Sequence, residues 1–109
     1  MKLLIVGSQS VSNFDMSPYI PPDADTIICA DVGAIGRLAE QYADFHKLSK
    51  YILRPRYDLY GNMAEIKRNE LMVDMADAVL FIWDGCCIEI RYILDYAKEK
   101  NKRFALVRV

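Results

Sequence analysis

Three short segments hold residues whose types and spacing could do chemistry. Gly7-Ser8-Gln9-Ser10 follows an apolar run, and a glycine beside small hydroxyl residues lets backbone N–H groups approach an oxyanion closely. The segment equally suits a plain strand-to-loop turn, and without the full G-x-G-x-x-G spacing no NAD or FAD chemistry is indicated. Trp83-Asp84-Gly85 leads through Cys86-Cys87-Ile88-Glu89 into a helical pattern. The orphan N–H groups of such a helix attract anions, but Glu89 falls in its first turn and supplies a negative charge of its own. Asp31, just ahead of Gly33 and another helical pattern, is expected to do the same there. Two of the three candidate phosphate cradles therefore carry a carboxylate.

Arg68-Asn69 is the third kind of signal. On a 3.6-residue wheel Asn69 shares a stripe with Ile66 and Val73, and a polar side chain on a buried stripe must find a partner or cost stability. Arg68 beside it can reach toward the strand ends. The competing reading is an Asn bonded to loop backbone and an Arg extending to water. Cys86 and Cys87 sit where a helix N-terminus can activate a thiol. The one histidine, His46, ends a different helix, so no base stands by and a cysteine nucleophile is not expected. One His and three Cys make no paired ligand spacing, so neither a metal nor another cofactor is expected. Tyr57, Tyr60 and Trp83 could stack a base or simply pack.

The elements that must position these residues follow from hydrophobic period. Largely apolar runs at 3–6, 26–29, 51–53, 78–83 and 104–107 read as strands, the one at 78–83 being apolar throughout and therefore central. Apolar residues at helical spacing predict helices over 33–46, 62–76 and 87–100. Residues 8–24, with Pro18, Pro21 and Pro22, read as a long loop with one helical turn near Phe14 to Tyr19. Strands alternating with helices imply a parallel sheet covered on both faces, a three-layer α/β/α Rossmann-like architecture in a single domain. Ligands in such sheets bind at the carboxyl ends of strands near the point where strand order reverses. That rule selects Gly7 to Ser10, Ala30 to Gly33 and Asp84 to Glu89.

Bulk properties exclude several classes. The 109 residues are 53% hydrophobic and 27% charged with a net charge of −1, so no electrostatic footprint for nucleic acid or an anionic membrane is visible. Leu3 to Val6 is too short for a membrane span or a signal h-region. The odd cysteine count, with two thiols adjacent, predicts free thiols in a reducing compartment, hence a cytoplasmic protein.

Tyr60-Gly61, Arg68-Asn69, Met72, Ala76-Asp77 and Trp83-Asp84-Gly85, at this spacing, resemble the SLOG superfamily, in particular its small bacterial and phage group. That group shows G-S-R after the first strand, then G-G-A-R-G-x-D-x-L-A, Y-G-x-x-A-G, R-N-x-x-M, A-D and W-D-G-x-S-x-G-T. The resemblance implies a five-stranded sheet of order 3-2-1-4-5 and a pocket for a nucleotide-derived ligand. Relatives include the Lonely Guy-type phosphoribohydrolases and the DNA-processing protein A fold. Carried over by position, Gly7 and Ser8 meet phosphate or ribose, Arg68 matches the phosphoribohydrolase arginine with Asn69 supporting it, and Asp84 and Gly85 border the ligand. The chain departs from the pattern at Gln9, where the group has Arg; across Ala30 to Gly36, which loses both leading glycines, the Arg and the Asp; and at Glu89-Ile90, which replaces G-T. The phosphoribohydrolases' catalytic Glu position is Ile93 here.

The function these residues imply is binding or sensing of a nucleotide-derived or nucleoside-like small ligand without catalysis. Gly7, Ser8, Gln9, Asp31, Gly33, Tyr60, Gly61, Asn69, Asp84, Gly85, Cys86 and Cys87 form the expected binding set, with Asp31 and Glu89 accepting from ribose hydroxyls or amino groups. One alternative is an N-glycosidic hydrolase or transferase using Arg68 and Glu89. Another is a degenerate scaffold or interaction subunit. Family habit and small size imply a homodimer.

Overall fold

A computed structural model describes residues 1–109. Five strands, β1 (Lys2–Gly7), β2 (Thr26–Ala30), β3 (Ser49–Leu53), β4 (Ala78–Trp83) and β5 (Arg103–Arg108), form one parallel sheet in the order β3-β2-β1-β4-β5. The architecture is α/β and Rossmann-like, with the strand order expected. Three long helices, α1 (Ala34–Phe45), α3 (Ala64–Met75) and α4 (Ile88–Glu99), connect the strands, and a four-residue turn of helix, α2 (Tyr57–Tyr60), precedes α3 through a 3-10 turn at Gly61–Met63. The proline-bearing loop contains a single 3-10 turn, Ser17–Tyr19.

Side chains alternate along each strand and split the core in two, as the period of two demands. Leu3, Ile5, Ile27, Cys29, Leu80 and Ile82 face α1 and the long loop, against Ile35, Ala39, Ala43 and Met16. Leu4, Val6, Ile28, Val79 and Phe81 face α3 and α4, against Met72, Val73, Ile90, Ile93, Leu94 and Ala97. The three layers are thus α1 with the loop, the sheet, and α3 with α4. The sheet's centre, β1 and β4, is buried on both faces, whereas β5 is an exposed edge bracketed by Arg103 and Arg108. Charged ends of this kind discourage edge-to-edge pairing. No helix is long and apolar enough to cross a membrane.

Two glycines are fixed by close approach. A Cβ on Gly7 would fall 2.7 Å from Ile35 Cβ, and one on Gly36 would fall 2.8 Å from the Ala30 carbonyl oxygen. Both contacts bring the N-terminal turn of α1 down onto the ends of β1 and β2, and so set the wall of the site described next.

Candidate functional site

A cleft of about 150 Å³ opens at the carboxyl ends of β1 and β2, between α1 on one side and α3 with α4 on the other. Its walls include Gly7, Ser8 and Gln9 after β1, Val32 to Gly36 at the start of α1, Arg68, Asn69 and Met72 from α3, and Glu89, Ile90 and Ile93 from α4. Of the predicted set, the cleft gathers Gly7, Ser8, Gln9, Gly33, Arg68, Asn69 and Glu89. Asp31 stands just outside it, in contact with Arg68. Asp84, Gly85, Cys86, Cys87, Tyr60 and Gly61 do not line it. Tyr60 instead lines a separate hollow of about 270 Å³ beside Arg54, Arg56 and Lys67, which shares Arg68 with the cleft.

Arg68 is the central feature. It lies on the buried stripe of α3 with Ala64, Asn69, Met72 and Val73, whereas Ile66, expected on that stripe, is only half-buried. Arg68 is 7% exposed and Asn69 3%. Burying a guanidinium is costly unless its N–H groups are bonded. Arg68 Nε donates to Asn69 Oδ1 at 2.8 Å and Nη1 donates to Asp31 Oδ1 at 3.3 Å. The contacts follow the first of the two sequence readings: Asn69, on the buried stripe, finds its partner in the neighbouring guanidinium rather than in loop backbone, and Arg68 reaches Asp31 just after β2. Nη2 has no protein acceptor and yet is not sealed off, since no side-chain nitrogen or oxygen is both buried and unpaired.

The acids around the rim are spent differently from what the sequence predicts. Asp31 does not serve the start of α1. Its carboxylate takes Arg68, with Arg54 Nε at 3.9 Å on the other oxygen. Helix α1 begins at Gly33 (φ 89°) with no side-chain cap and no acid in its first turn. The N–H groups of Ala34, Ile35 and Gly36 therefore have no protein acceptor, the ordinary state of an uncapped helix start. Asp84 is drawn into its own loop. Oδ1 accepts from the N–H groups of Cys86 (2.8 Å) and Cys87 (3.0 Å), and Oδ2 accepts from the Ser10 hydroxyl (2.6 Å). The Ser10 hydroxyl first, then the Cys86 N–H, hold its carboxyl down at about 2. Ser8 belongs to the same knot: buried to 1%, its Oγ accepts from the Asp84 N–H at 3.0 Å, tying the loop after β1 to the loop after β4. Gly85, at φ 88°, lies under the Arg108 guanidinium, where a Cβ would collide. Glu89 alone lines the cleft with no hydrogen-bond or ion-pair partner from the protein, and it is the one carboxylate among the lining residues. No group of three or more His, Cys, Asp or Glu is arranged to hold a metal ion.

The sequence reading missed the first turn of α1 as a wall of the site. The signal was present: Gly33 before a helical pattern whose first turn, Ala34-Ile35-Gly36, carries neither a capping side chain nor an acid. Comparison with protein-family models, with curated proteins and with solved structures finds no match to this chain.

Proposed function

We propose that the cleft binds a nucleotide-derived small ligand, without turning it over, in the manner its resemblance to the SLOG superfamily implies. The observation that carries this reading is Arg68. A side chain whose burial is costly is held at the wall of an open cleft by Asn69 and Asp31, and one guanidinium nitrogen is left without a protein partner. Planar, permanently charged donors of this kind suit phosphoryl or ribosyl oxygens. The location supports the same reading, since strand order reverses beside β1 and the cleft sits over its carboxyl end.

Non-catalysis is supported by the lining itself. Cleavage of an N-glycosidic bond by paired carboxylates needs two acids flanking the bond, and Glu89 is the single acid available in the cleft. Titration calorimetry with adenosine, AMP and ADP-ribose tests the proposal. Binding of at least one of these by the native chain, lost in Arg68→Met, is the expected result. No binding of any of them at millimolar concentration, or equal binding by the variant, would end it.

The unpartnered Glu89 favours one second reading, hydrolysis at the glycosidic carbon with Glu89 activating water and Arg68 orienting the sugar phosphate. Incubation with AMP distinguishes it. Release of free adenine that disappears in Glu89→Gln would establish it over binding alone.

A further inference from the structure

We propose that the hollow at the far end of α1 is a second binding site, independent of the cleft, for a small ligand that carries a methylated ammonium group.

Helix α1 starts at the cleft and ends about 18 Å away, twelve residues at about 1.5 Å each. There, against the proline-bearing loop, lies a hollow of about 350 Å³, inside the range of about 300 to 1,000 Å³ usual for small-molecule sites. Four rings line it: Phe14 from the loop, Tyr42 and Phe45 from the last turn of α1, and His46 from its cap. The rings hold one another. His46 lies against Tyr42 with centroids 4.2 Å apart and meets Phe45 edge-on at 5.1 Å, while Phe14 stacks on Tyr19 at 5.6 Å. Phe45 is 84% exposed, more than any other large apolar side chain, and belongs to neither half of the core.

Exposed rings alone would mark only an apolar patch. The charges around them give the sign of the ligand. Asp15 is the one carboxylate lining the hollow, and no lysine or arginine lines it. Asp15 Oδ1 accepts from the Ser17 N–H at 3.1 Å, and the carboxylate has no ion-pair partner. The acids of α1 close by are spent, since Lys50 Nζ stands 2.8 Å from both Glu40 and Asp44. The last turn of α1 carries no basic residue to answer the negative end of the helix dipole. Ring faces, an unpaired carboxylate and a helix C-terminus all favour a cation.

The kind of cation follows from the same groups. One carboxylate among rings cannot replace the shell of about six oxygens that a magnesium or calcium ion demands. A guanidinium is best served by a carboxylate free on both oxygens, and Asp15 already shares one with Ser17. A methylated ammonium needs no directed hydrogen bond and gains from each ring face it touches.

The test titrates choline and its uncharged tert-butyl analogue into the native chain and two variants, followed by proton NMR of the aromatic rings. Choline should bind about tenfold more tightly than the analogue, the gain of a partly exposed cation over more than one ring. Phe45→Leu keeps apolar bulk at an exposed position, so the melting midpoint should hold. The same change should weaken choline about fivefold and leave the analogue unaltered. Asp15→Asn keeps an oxygen for the Ser17 N–H but loses the charge, and should also weaken choline about fivefold. Arg68→Met, in the cleft, should leave choline binding unchanged, which separates this site from the reading above. The proposal is wrong if choline fails to bind at millimolar concentration, if the analogue binds as tightly, or if neither Phe45→Leu nor Asp15→Asn weakens choline. A peptide bearing trimethyl-lysine that binds far more tightly than choline would assign the hollow to a partner protein and overturn the small-ligand claim.

Discussion

The Arg68–Asn69 pair can be taken apart by substitution, and the order of the costs is diagnostic. Asn69→Leu keeps roughly the side-chain volume but removes the Oδ1 that accepts from Arg68 Nε at 2.8 Å in a buried setting. A charged donor is then left unpaired, a loss of about 2–3 kcal/mol. Arg68→Met removes the same bond but takes the buried charge with it. Its other partner, Asp31, is not stranded, because its side chain is partly exposed and Arg54 stands 3.9 Å away. Arg68→Met does leave the buried Asn69 Oδ1 without its donor, but that stranded group is neutral, so the change should cost about 1–2 kcal/mol, less than Asn69→Leu. The double variant should then resemble Arg68→Met, giving a coupling of about 2 kcal/mol within the pair. Urea unfolding followed by far-ultraviolet circular dichroism reads these values. At about 5 °C per kcal/mol for a domain of this size, Asn69→Leu should also lower the melting midpoint by about 10 °C. If the two single changes simply add, or if Arg68→Met costs as much as Asn69→Leu, the guanidinium is a structural strut. The claim that it is kept at the cleft wall for a ligand then loses its physical basis.

Two further outcomes follow from the titrating groups. The Asp84 carboxyl is held at about 2 in the folded chain against an ordinary value of 3.8. The stability it contributes is therefore fully present above pH 4 and lost as pH falls from about 4 to about 2. Acid titration of the folded fraction should show a shallower fall over that window in Asp84→Ala than in the native chain, and identical profiles would contradict the loop geometry. Burial, with a smaller contribution from nearby Glu40, pushes the Cys29 thiol up to about 11, while Cys86 is exposed and Cys87 half-buried. Alkylation at pH 8 followed by peptide mapping should label Cys86 first and Cys29 only after unfolding. Early labelling of Cys29 would place that strand elsewhere.

The architecture was legible because it rests on period alone. The unbroken apolar run at Ala78 to Trp83 admits only a central strand, and Ile90, Ile93, Leu94 and Ala97 define one helix face that the structure buries as a unit. Element ends shifted by at most two residues, as at α3, which starts at Ala64, and at β3, which begins at Ser49 because pairing with Thr26 extends it past its apolar stretch. The site was only half legible, because it depends on which partner each polar group takes. Gly7 reads as a phosphate-approach glycine in sequence; the geometry shows that Ile35 of α1 alone already forbids a side chain there. The Asn69 stripe pointed correctly to a buried polar group. Its companion Arg68 was placed beside the stripe rather than on it, since a wheel built on Ile66 misses the Ala64–Arg68–Met72 row four residues apart.

Three acids, Asp31, Asp84 and Glu89, crowd the rim, and in sequence Asp31 and Glu89 argue against a phosphate while Asp84 borders the ligand. Folding makes them unequal. Asp84 is spent on closing its own loop onto Ser10 and the two cysteine N–H groups, and Asp31 is spent on Arg68. The charge of Asp31 is offset by Arg68 and Arg54, and Asp84, though it keeps its charge, lies outside the cleft, whereas the unpaired Glu89 acts on whatever enters it. What remains in the cleft is one free carboxylate, Glu89, at the α4 side, and the uncapped N–H groups at the start of α1 on the other. A cleft so polarised does not repel anions as a whole. On the binding reading proposed above, it would orient a ligand, keeping a negative end away from Glu89 and presenting that carboxylate to hydroxyl or amino groups at the other. The count of acids in the sequence could not reveal this, because the sign of the local field is decided by hydrogen bonds between residues 37 and 74 positions apart.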